Sequence, residues 1–331
     1  MGTRTATIGR PGTRHGGGAR RFAWAVVGYN VLVVVWGAMV RATGSGAGCG
    51  NHWPLCNGQV IPISPTLHTI IEFTHRMMVG GATFAMIALV IWTWRATTKG
   101  DASRVFATLS AVLLVNEAFL GALLVKLGYV TGNQSIGRVV VLSVHLSNTL
   151  LLLAALTLTA TMLGTRQRWA DLHAQSKDRT IAAIGLLATL LVGVSGSLAA
   201  LGDTLFPASS LRAAFAQDFD AASPWLLRLR GVHPASAVIA SAFVLWLILR
   251  ARRNGLHRGA FLLVSLLAAQ FVLGIADVIL LAPTWMQLVH LLGADLFWIA
   301  LIGLAAAVLW GEPLQSSASE ALRNQPAALR A

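Results

Sequence analysis

Eight runs of predominantly apolar residues dominate the sequence, each close to the length of about 20 residues that crosses a bilayer as a helix. Only 11% of the residues are charged, against about 25% in an average soluble protein, and 56% are hydrophobic. The runs are 22–41, 68–95, 104–126, 138–164, 180–201, 229–249, 259–281 and 285–310. They predict an all-α integral membrane protein with eight transmembrane helices, and they leave no segment long enough for a water-soluble domain of normal size.

The net charge of +13 is unevenly distributed along the chain. The segments that alternate on one side of the predicted membrane contain 18 of the 25 Lys and Arg and only five of the 12 acids, while the remaining bases and acids cancel. This is the positive-inside pattern, and it predicts a multi-pass protein of the cell (cytoplasmic) membrane with both termini inside. The lipid bilayer therefore accounts for the basic charge, and no nucleic-acid partner is indicated.

The eight runs divide into two sets of four that share landmarks in the same order. His75 and His233 lie in the second and sixth runs, a motif ending in Gly occurs at 117–121 and 270–274, and His145 and His290 lie in the fourth and eighth runs. This order predicts two pseudo-symmetric four-helix bundles related as a parallel internal repeat. The predicted organisation is a disordered inside tail 1–21, an N-terminal bundle 22–164, an inside linker 165–179, a C-terminal bundle 180–310 and an inside tail 311–331.

Apart from His68, which begins the second run beside the outside loop, four of the nine His lie inside predicted helices. Each is within a turn or two of the outside end: His75, His145, His233 and His290. In each half, two imidazoles on two different helices therefore lie at comparable depth. Two facing imidazoles are the axial ligands that a six-coordinate haem iron requires. Because polar residues in lipid are costly, the repeated pair predicts two haem sites, with a proton or substrate relay as the main alternative.

Polar residues near these His suggest supporting roles. Glu72 lies three residues before His75 on the same helix face, where a carboxylate could move protons or stabilise a cationic transition state. The alternative is a salt bridge with Arg76 or Arg41.

Asn148 and Asp295 are further candidates beside the His, and the small residues Gly80 and Gly293 could admit a flat macrocycle. Five arginines near the outer helix ends are candidates for pairing with haem propionates, with membrane-end snorkelling as the alternative: Arg41, Arg76, Arg138, Arg228 and Arg230.

The two Cys of the chain, Cys49 and Cys56, share the predicted outside loop 42–67. An outward-facing pair persists as a disulfide in an oxidising compartment, and it also suits a redox role. A metal site formed with His52 and unpaired thiols are the alternatives.

Taken together, these motifs resemble the haem A synthase family over nearly all eight runs. The resemblance rests on Arg41-Ala-Thr-Gly-Ser-Gly-Ala-Gly-Cys49, Trp53-Pro-Leu-Cys56-Asn-Gly, Glu72-Phe-Thr-His75-Arg76, His145 in Val-His-Leu, His233-Pro234 and Val289-His290. That family is a group of membrane oxidoreductases acting on a CH or CH2 group, which oxidise the C8 methyl of haem O to a formyl group and so supply haem A to terminal oxidases.

The resemblance implies a role for each motif. His75 and His145 would belong to the substrate haem O site, with Glu72 as the carboxylate needed for oxidation. His233 and His290 would ligate a cofactor haem b that relays electrons. The resemblance also implies haem O synthase and the assembly of a terminal oxidase as partners.

One loop departs from the family pattern, because Asn51-His52 stands where many members have Pro-Asp before the Trp. This departure leaves open any role for an acid in that loop. The outside loop 202–228 is assigned no chemistry.

Two other functions use the same residues. A dihaem b-type membrane electron carrier, linked to quinol, would need the four His but neither Glu72 nor the Cys loop. A transporter built from a parallel repeat would use the His as a proton or metal path.

Overall fold

The chain forms an all-helical membrane protein. The computed structural model describes residues 15–172 and 176–311, and within these ranges it contains ten α-helices, two 3₁₀ turns and no β-strand. The helices are α1 His15–Ala42, α2 Leu67–Ala96, α3 Ala102–Lys126, α4 Ile136–Thr165, α5 Ser176–Leu205, α6 Leu211–Phe219, α7 Trp225–Arg228, α8 Val232–Arg253, α9 His257–Ile279 and α10 Thr284–Trp310. In the part of the chain thus described, eight helical segments are long and apolar enough to cross a membrane, which confirms the predicted fold class.

The observed helix ends differ from the predicted ones mainly at the first helix. Helix α1 begins at His15, so the predicted disordered tail 1–21 is wrong for 15–21. Residues 1–14, and residues 312–331 of the predicted inside tail 311–331, lie outside the described residues. The predicted outside loop 202–228 includes the end of α5 and the two short helices α6 and α7.

Polar side chains begin three of the long helices. The side chains of Thr66, Asp101 and Ser135 accept hydrogen bonds from backbone N–H groups in the first turns of α2, α3 and α4. These caps give hydrogen-bond partners to backbone N–H groups that have none within the helix. An unpaired N–H group near a bilayer costs free energy, so the caps stabilise the starts of these helices. The helices begin directly after these caps, and the predicted spans 68–95, 104–126 and 138–164 begin within two residues of them.

Helix α4 lies between two apolar clusters. One cluster joins Leu153 of α4 to residues of α8, α9 and α10, and the other joins Leu156 of α4 to residues of α1 and α2. The indole N–H of Trp298 in α10 also donates to the carbonyl of Leu150 in α4 at 2.7 Å. The segments 22–164 and 180–310 are therefore packed against each other along α4, while their description as two bundles and an internal repeat stays a prediction.

Candidate functional site

A cavity of about 1260 Å³ runs between the long helices and is lined by all four intramembrane His, His75, His145, His233 and His290. Ligand pockets usually have volumes of about 300–1,000 Å³, so this space is large for a single small molecule. Aliphatic side chains from α1 to α5 and from α8 to α10 form much of its wall, and Trp53 and Phe215 line it from the loop and from α6. The structure thus brings the predicted His into one shared space.

Each of the four imidazoles lies against a glycine of a neighbouring helix. An added Cβ would lie 3.0 Å from Cε1 of His75 at Gly37, 3.9 Å from Cε1 of His145 at Gly121, 2.8 Å from Cε1 of His233 at Gly196, and 3.4 Å from Cε1 of His290 at Gly274. At Gly37 and Gly196 an alanine side chain would push directly on the ring. The absence of a side chain at these two glycines therefore helps to set where the imidazoles sit in the cavity.

The rings of His233 and His290 lie edge to face, with their centroids 6.2 Å apart and their planes at 80°. Metal–imidazole nitrogen bonds are about 2.0–2.1 Å long, so two rings bound on opposite sides of one metal have centroids about 6 Å apart. The Nδ1 atom of His233 lies 3.2 Å from the carbonyl oxygen of Val192 and 3.3 Å from the hydroxyl of Ser195. This pair fits the axial positions of a haem iron in spacing and in donor type.

The rings of His75 and His145 line the same cavity from α2 and α4. The Nδ1 atoms of both are buried and have no hydrogen-bond partner, as is also true of His290. A carboxylate oxygen of Glu117 lies 3.5 Å from Nδ1 of His145, at the outer limit of hydrogen-bond distance, and no hydrogen bond joins them in this structure. Buried imidazole nitrogens without a hydrogen-bond partner are uncommon in proteins, which makes these two rings candidates for binding a ligand.

Glu72 is buried, with 3% of its surface exposed, and both of its oxygens have partners. One oxygen forms an ion pair with Arg76, and the other accepts the backbone N–H of Cys49 at 2.8 Å. The salt bridge considered as an alternative from the sequence is therefore present. Glu72 nevertheless lines the cavity together with His75, so the carboxylate lies at the wall of the space that a substrate would occupy.

The loop between α1 and α2 is held beside the cavity by a disulfide and by hydrogen bonds from Arg76. Cys49 and Cys56 form a disulfide, and both are buried. With the two sulfurs bonded to each other, the alternatives of a metal site with His52 and of unpaired thiols do not describe this structure. The guanidinium of Arg76 donates to the carbonyls of His52 and Leu55, each at 2.6 Å, so it holds the loop as well as Glu72.

Other predicted arginines have protein partners. Arg230 pairs with Asp203 at 2.9 Å and with Asp218 at 2.7 Å. Arg138 donates to the carbonyl of Asn133 at 2.7 Å. Both arginines still line the cavity, and their pairing with propionates stays a prediction.

Arg41 joins helices from both parts of the chain. It donates to the carbonyl of Ala200 at 2.9 Å and to the hydroxyl of Thr204 at 3.0 Å, both in α5. It also donates to Oε1 of Gln287 in α10 at 3.0 Å. The position of Arg41 at the end of a helix predicted only snorkelling, a propionate contact or a salt bridge, so this structural role was missed.

Three further acids line the cavity: Glu117, Asp277 and Asp295. The sequence predicts no role for Glu117, which lies beside His145, because it shares a helix face with a predicted ligand less closely than Glu72 does. Asp295, predicted as a weaker candidate beside His290, is 1% exposed and has an oxygen without a hydrogen-bond partner, as does Asp277. The match between 117–121 and 270–274 was the sequence signal that could have drawn attention to Glu117.

Comparison with known proteins gives matches along most of the chain. A family model described as cytochrome oxidase assembly protein (COX15-CtaA) matches residues 20–302. A protein of Thermus thermophilus named protoheme IX farnesyltransferase is 43% identical over 298 residues, which cover 87% of this chain and 48% of that protein.

Proteins named heme A synthase are similar over shorter stretches. The one from Shouchella clausii is 44% identical over 92 residues, which cover 28% of this chain and 31% of that protein. The one from Halalkalibacterium halodurans is 37% identical over 132 residues, which cover 40% of this chain and 42% of that protein. The chain therefore spans less than half the length of these curated relatives.

Proposed function

The chain belongs to the cytochrome oxidase assembly protein family (COX15-CtaA), and from this membership we propose that it is a haem A synthase, an oxidoreductase that converts the C8 methyl of haem O to a formyl group. Relatives named heme A synthase support the reaction. A terminal oxidase would use the product, and a haem O synthase would supply the substrate. Eight apolar helices and the basic inside segments support a place in the cell membrane.

The observation that carries this proposal is the pairing of four imidazoles around one cavity. His233 and His290, with ring centroids 6.2 Å apart, would hold haem b as the cofactor. When bound there, haem b would supply one-electron transfer. The carbonyl of Val192 accepts from Nδ1 of His233, which leaves Nε2 as the nitrogen available to a metal.

The substrate would bind between His75 and His145. Both rings line the cavity, and the Nδ1 atoms of both are buried. Aliphatic residues of α1, α2 and α4 in the same wall, among them Val33 and Leu152, suit an apolar macrocycle that carries a farnesyl chain. The lipophilic nature of that substrate also explains why its enzyme lies within the bilayer.

Glu72 is the proposed catalytic carboxylate. Conversion of a methyl to a formyl group takes up an oxygen atom from water and releases electrons to the haems and protons to nearby bases, so a group at the cavity wall would accept or relay the protons. Glu72 lines the cavity one helical turn from His75, and its contacts with Arg76 and the N–H of Cys49 hold it in one orientation. The disulfide loop would exclude water above the substrate, since Trp53 and Pro54 line the cavity from that loop.

The name of the Thermus relative gives a second candidate function, the transfer of a farnesyl group to protohaem IX. That relative is 43% identical over most of this chain, but the match covers 48% of its own length. The name therefore describes a protein about twice the matched length and does not say which part carries the activity. The quinol-linked dihaem carrier predicted from the sequence is the remaining alternative.

Haem extraction distinguishes these functions. The chain is expressed in bacteria that make haem O but no haem A, and membrane haems are extracted and separated by chromatography. We expect haem A to accumulate with the wild type and with His257→Ala, whose exposed side chain lies outside the cavity, and to be absent with His75→Ala. Two bound haem B groups without haem A would favour the electron carrier, and haem O made in a strain that has only haem B would favour farnesyl transfer.

A further inference from the structure

Helices α3 and α4 share a partly buried polar network beside His145. The amide nitrogen of Asn148 donates to the carbonyl of Leu113 at 2.9 Å and to Oε2 of Glu117 at 2.5 Å. The amide oxygen of Asn148 accepts from Asn116 at 2.8 Å. Since a backbone carbonyl only accepts, the contact with Leu113 fixes which end of the Asn148 amide is the donor.

This network fixes the carboxyl group of Glu117 as an acceptor. Its Oε2 faces the amide donor of Asn148, and its Oε1 accepts from the hydroxyl of Thr149. The same Oε1 is the atom that lies 3.5 Å from Nδ1 of His145. The carboxylate is therefore held by two side chains of α4 and directed at the imidazole of the same helix.

Ligation of a metal by Nε2 would make Nδ1 of His145 a hydrogen-bond donor. In a neutral imidazole one nitrogen donates and the other accepts, so a metal on one nitrogen places the proton on the other. Metal-binding His usually donate this N–H to a carboxylate or a carbonyl, and a carboxylate increases the electron donation of the ring to the metal. Glu117 is the carboxylate within reach.

The C-terminal segment lacks this feature. Gln270 occupies the place of Glu117 in the predicted repeat, four residues before the glycine that faces His290, and its Nε2 is buried without a partner. Gly293 stands three residues after His290, where Asn148 follows His145, and so supplies no amide to hold the Gln270 side chain. Nδ1 of His290 has no hydrogen-bond partner.

We propose that Glu117 is a positioning residue that gives the two haem sites different reduction potentials, through a hydrogen bond from His145 that has no charged equivalent at His290. This inference rests on the proposed function, because it requires haem at both pairs of His. The negative carboxylate favours ferric over ferrous iron, so the potential at the His75–His145 site is the lower of the two. Electrons released from the substrate would then move downhill in free energy towards the haem that His233 and His290 would hold.

The test is a spectroelectrochemical potential measurement on the full chain, purified in detergent and supplied with haemin until both sites are filled. The wild type should show two reduction potentials. The one that disappears in His145→Ala is the N-terminal component, which belongs to the haem at the His75–His145 site. Glu117→Gln keeps the shape of the side chain and removes the charge. We expect it to raise the potential of that component by a tenfold change in the ferric-to-ferrous ratio, about 59 mV for one electron, and to leave the other component unchanged.

The reciprocal variant is Gln270→Glu, which places a carboxylate beside His290. It should lower the other potential while the His145 component stays in place. Binding of haemin at both sites with no selective shift in Glu117→Gln would overturn this inference and leave the proposed function standing. Failure of the wild type to bind haemin at either site would overturn both, and an equal haem content in Glu117→Gln excludes misfolding as the cause of a shift.

Discussion

The carboxylate of Glu72 accepts the backbone N–H of Cys49 at 2.8 Å, which connects helix α2 directly to the disulfide loop. The other carboxylate oxygen is paired with Arg76, and Arg76 itself holds two carbonyls of the same loop. The ion pair between Glu72 and Arg76 thus holds the disulfide loop in place and positions a carboxylate at the wall of the cavity. The same geometry makes Glu72 a candidate for both catalysis and loop placement, and two substitutions separate these roles.

We expect Glu72→Gln to reduce haem A output by about 100-fold or more while haem b remains bound at His233 and His290. The amide can still accept the N–H of Cys49, so the loop stays in place, whereas proton transfer by a carboxylate typically contributes about 10²–10⁴-fold. Haem A is measured by chromatography of extracted haems, and haem b by the reduced-minus-oxidised spectrum. Normal haem A output from Glu72→Ala, which removes both functions, would contradict the assignment.

Removal of the disulfide should loosen the loop without removing the haem ligands. Cys49 and Cys56 are seven residues apart, and a cross-link over so short a loop is worth about 2–3 kcal/mol on the chain-entropy model. We expect the double substitution of both Cys by Ser to increase proteolysis within the loop segment 50–65 and to lower haem A output, with haem b content unchanged.

The matched control for this variant is the wild type treated with a reductant, which breaks the same bond and leaves both thiols. An increase in proteolysis with both samples supports the loop role of the disulfide. If neither sample is cleaved faster than the untreated protein, the contacts of Arg76 with the loop carbonyls are sufficient and the prediction is wrong.

The sequence predicted the long helices well because their apolar runs are limited by bilayer thickness and by capping residues such as Thr66 and Asp101. It placed the start of α1 too late because Gly16, Gly17 and Gly18 are poor helix formers. In the structure the helix continues through them, since Ala19 is fully buried against the neighbouring helices. Packing in this case outweighs local propensity.

The four His could be found from the sequence because depth within an apolar run is visible in one dimension. The contact between Glu117 and His145 could not, since it depends on how α3 and α4 rotate about their axes. The same holds for Glu72 and the N–H of Cys49, which lie on different elements. Sequence reasoning therefore identified the candidate ligands, and the structure added the groups that orient them.

Alanine at Gly196 should displace the imidazole of His233, because the added Cβ would lie 2.8 Å from Cε1 of that ring. Overpacking of this kind costs about 1–3 kcal/mol, which corresponds to roughly 5–150-fold weaker retention of haem b. Gly274→Ala is the milder comparison, since its Cβ would lie 3.4 Å from Cε1 of His290. The haem-to-protein ratio after purification measures the effect.

Gly303→Ala is the control for these two variants, because an added Cβ there would meet no atom within 4 Å. We expect the order of haem retention to be Gly303→Ala, then Gly274→Ala, then Gly196→Ala. Equal retention in all three would mean that the position of the His233 ring does not depend on the glycine beside it.

Arg41 should contribute to stability through contacts that cross between the two parts of the chain. Its guanidinium donates to the carbonyl of Ala200, the hydroxyl of Thr204 and the amide oxygen of Gln287, on two different helices. Hydrogen bonds from a charged group are worth about 1.5–3 kcal/mol each, so Arg41→Ala should lower the thermal unfolding midpoint in detergent by several degrees. Arg41→Lys should recover little of this loss, because one ammonium group cannot reach acceptors on both helices in the way that the planar guanidinium does.

Arg212→Ala, which removes an exposed charge from α6, is the control and should leave the midpoint unchanged. If Arg41→Lys unfolds at the wild-type temperature, the charge alone matters and the geometry of the fork does not.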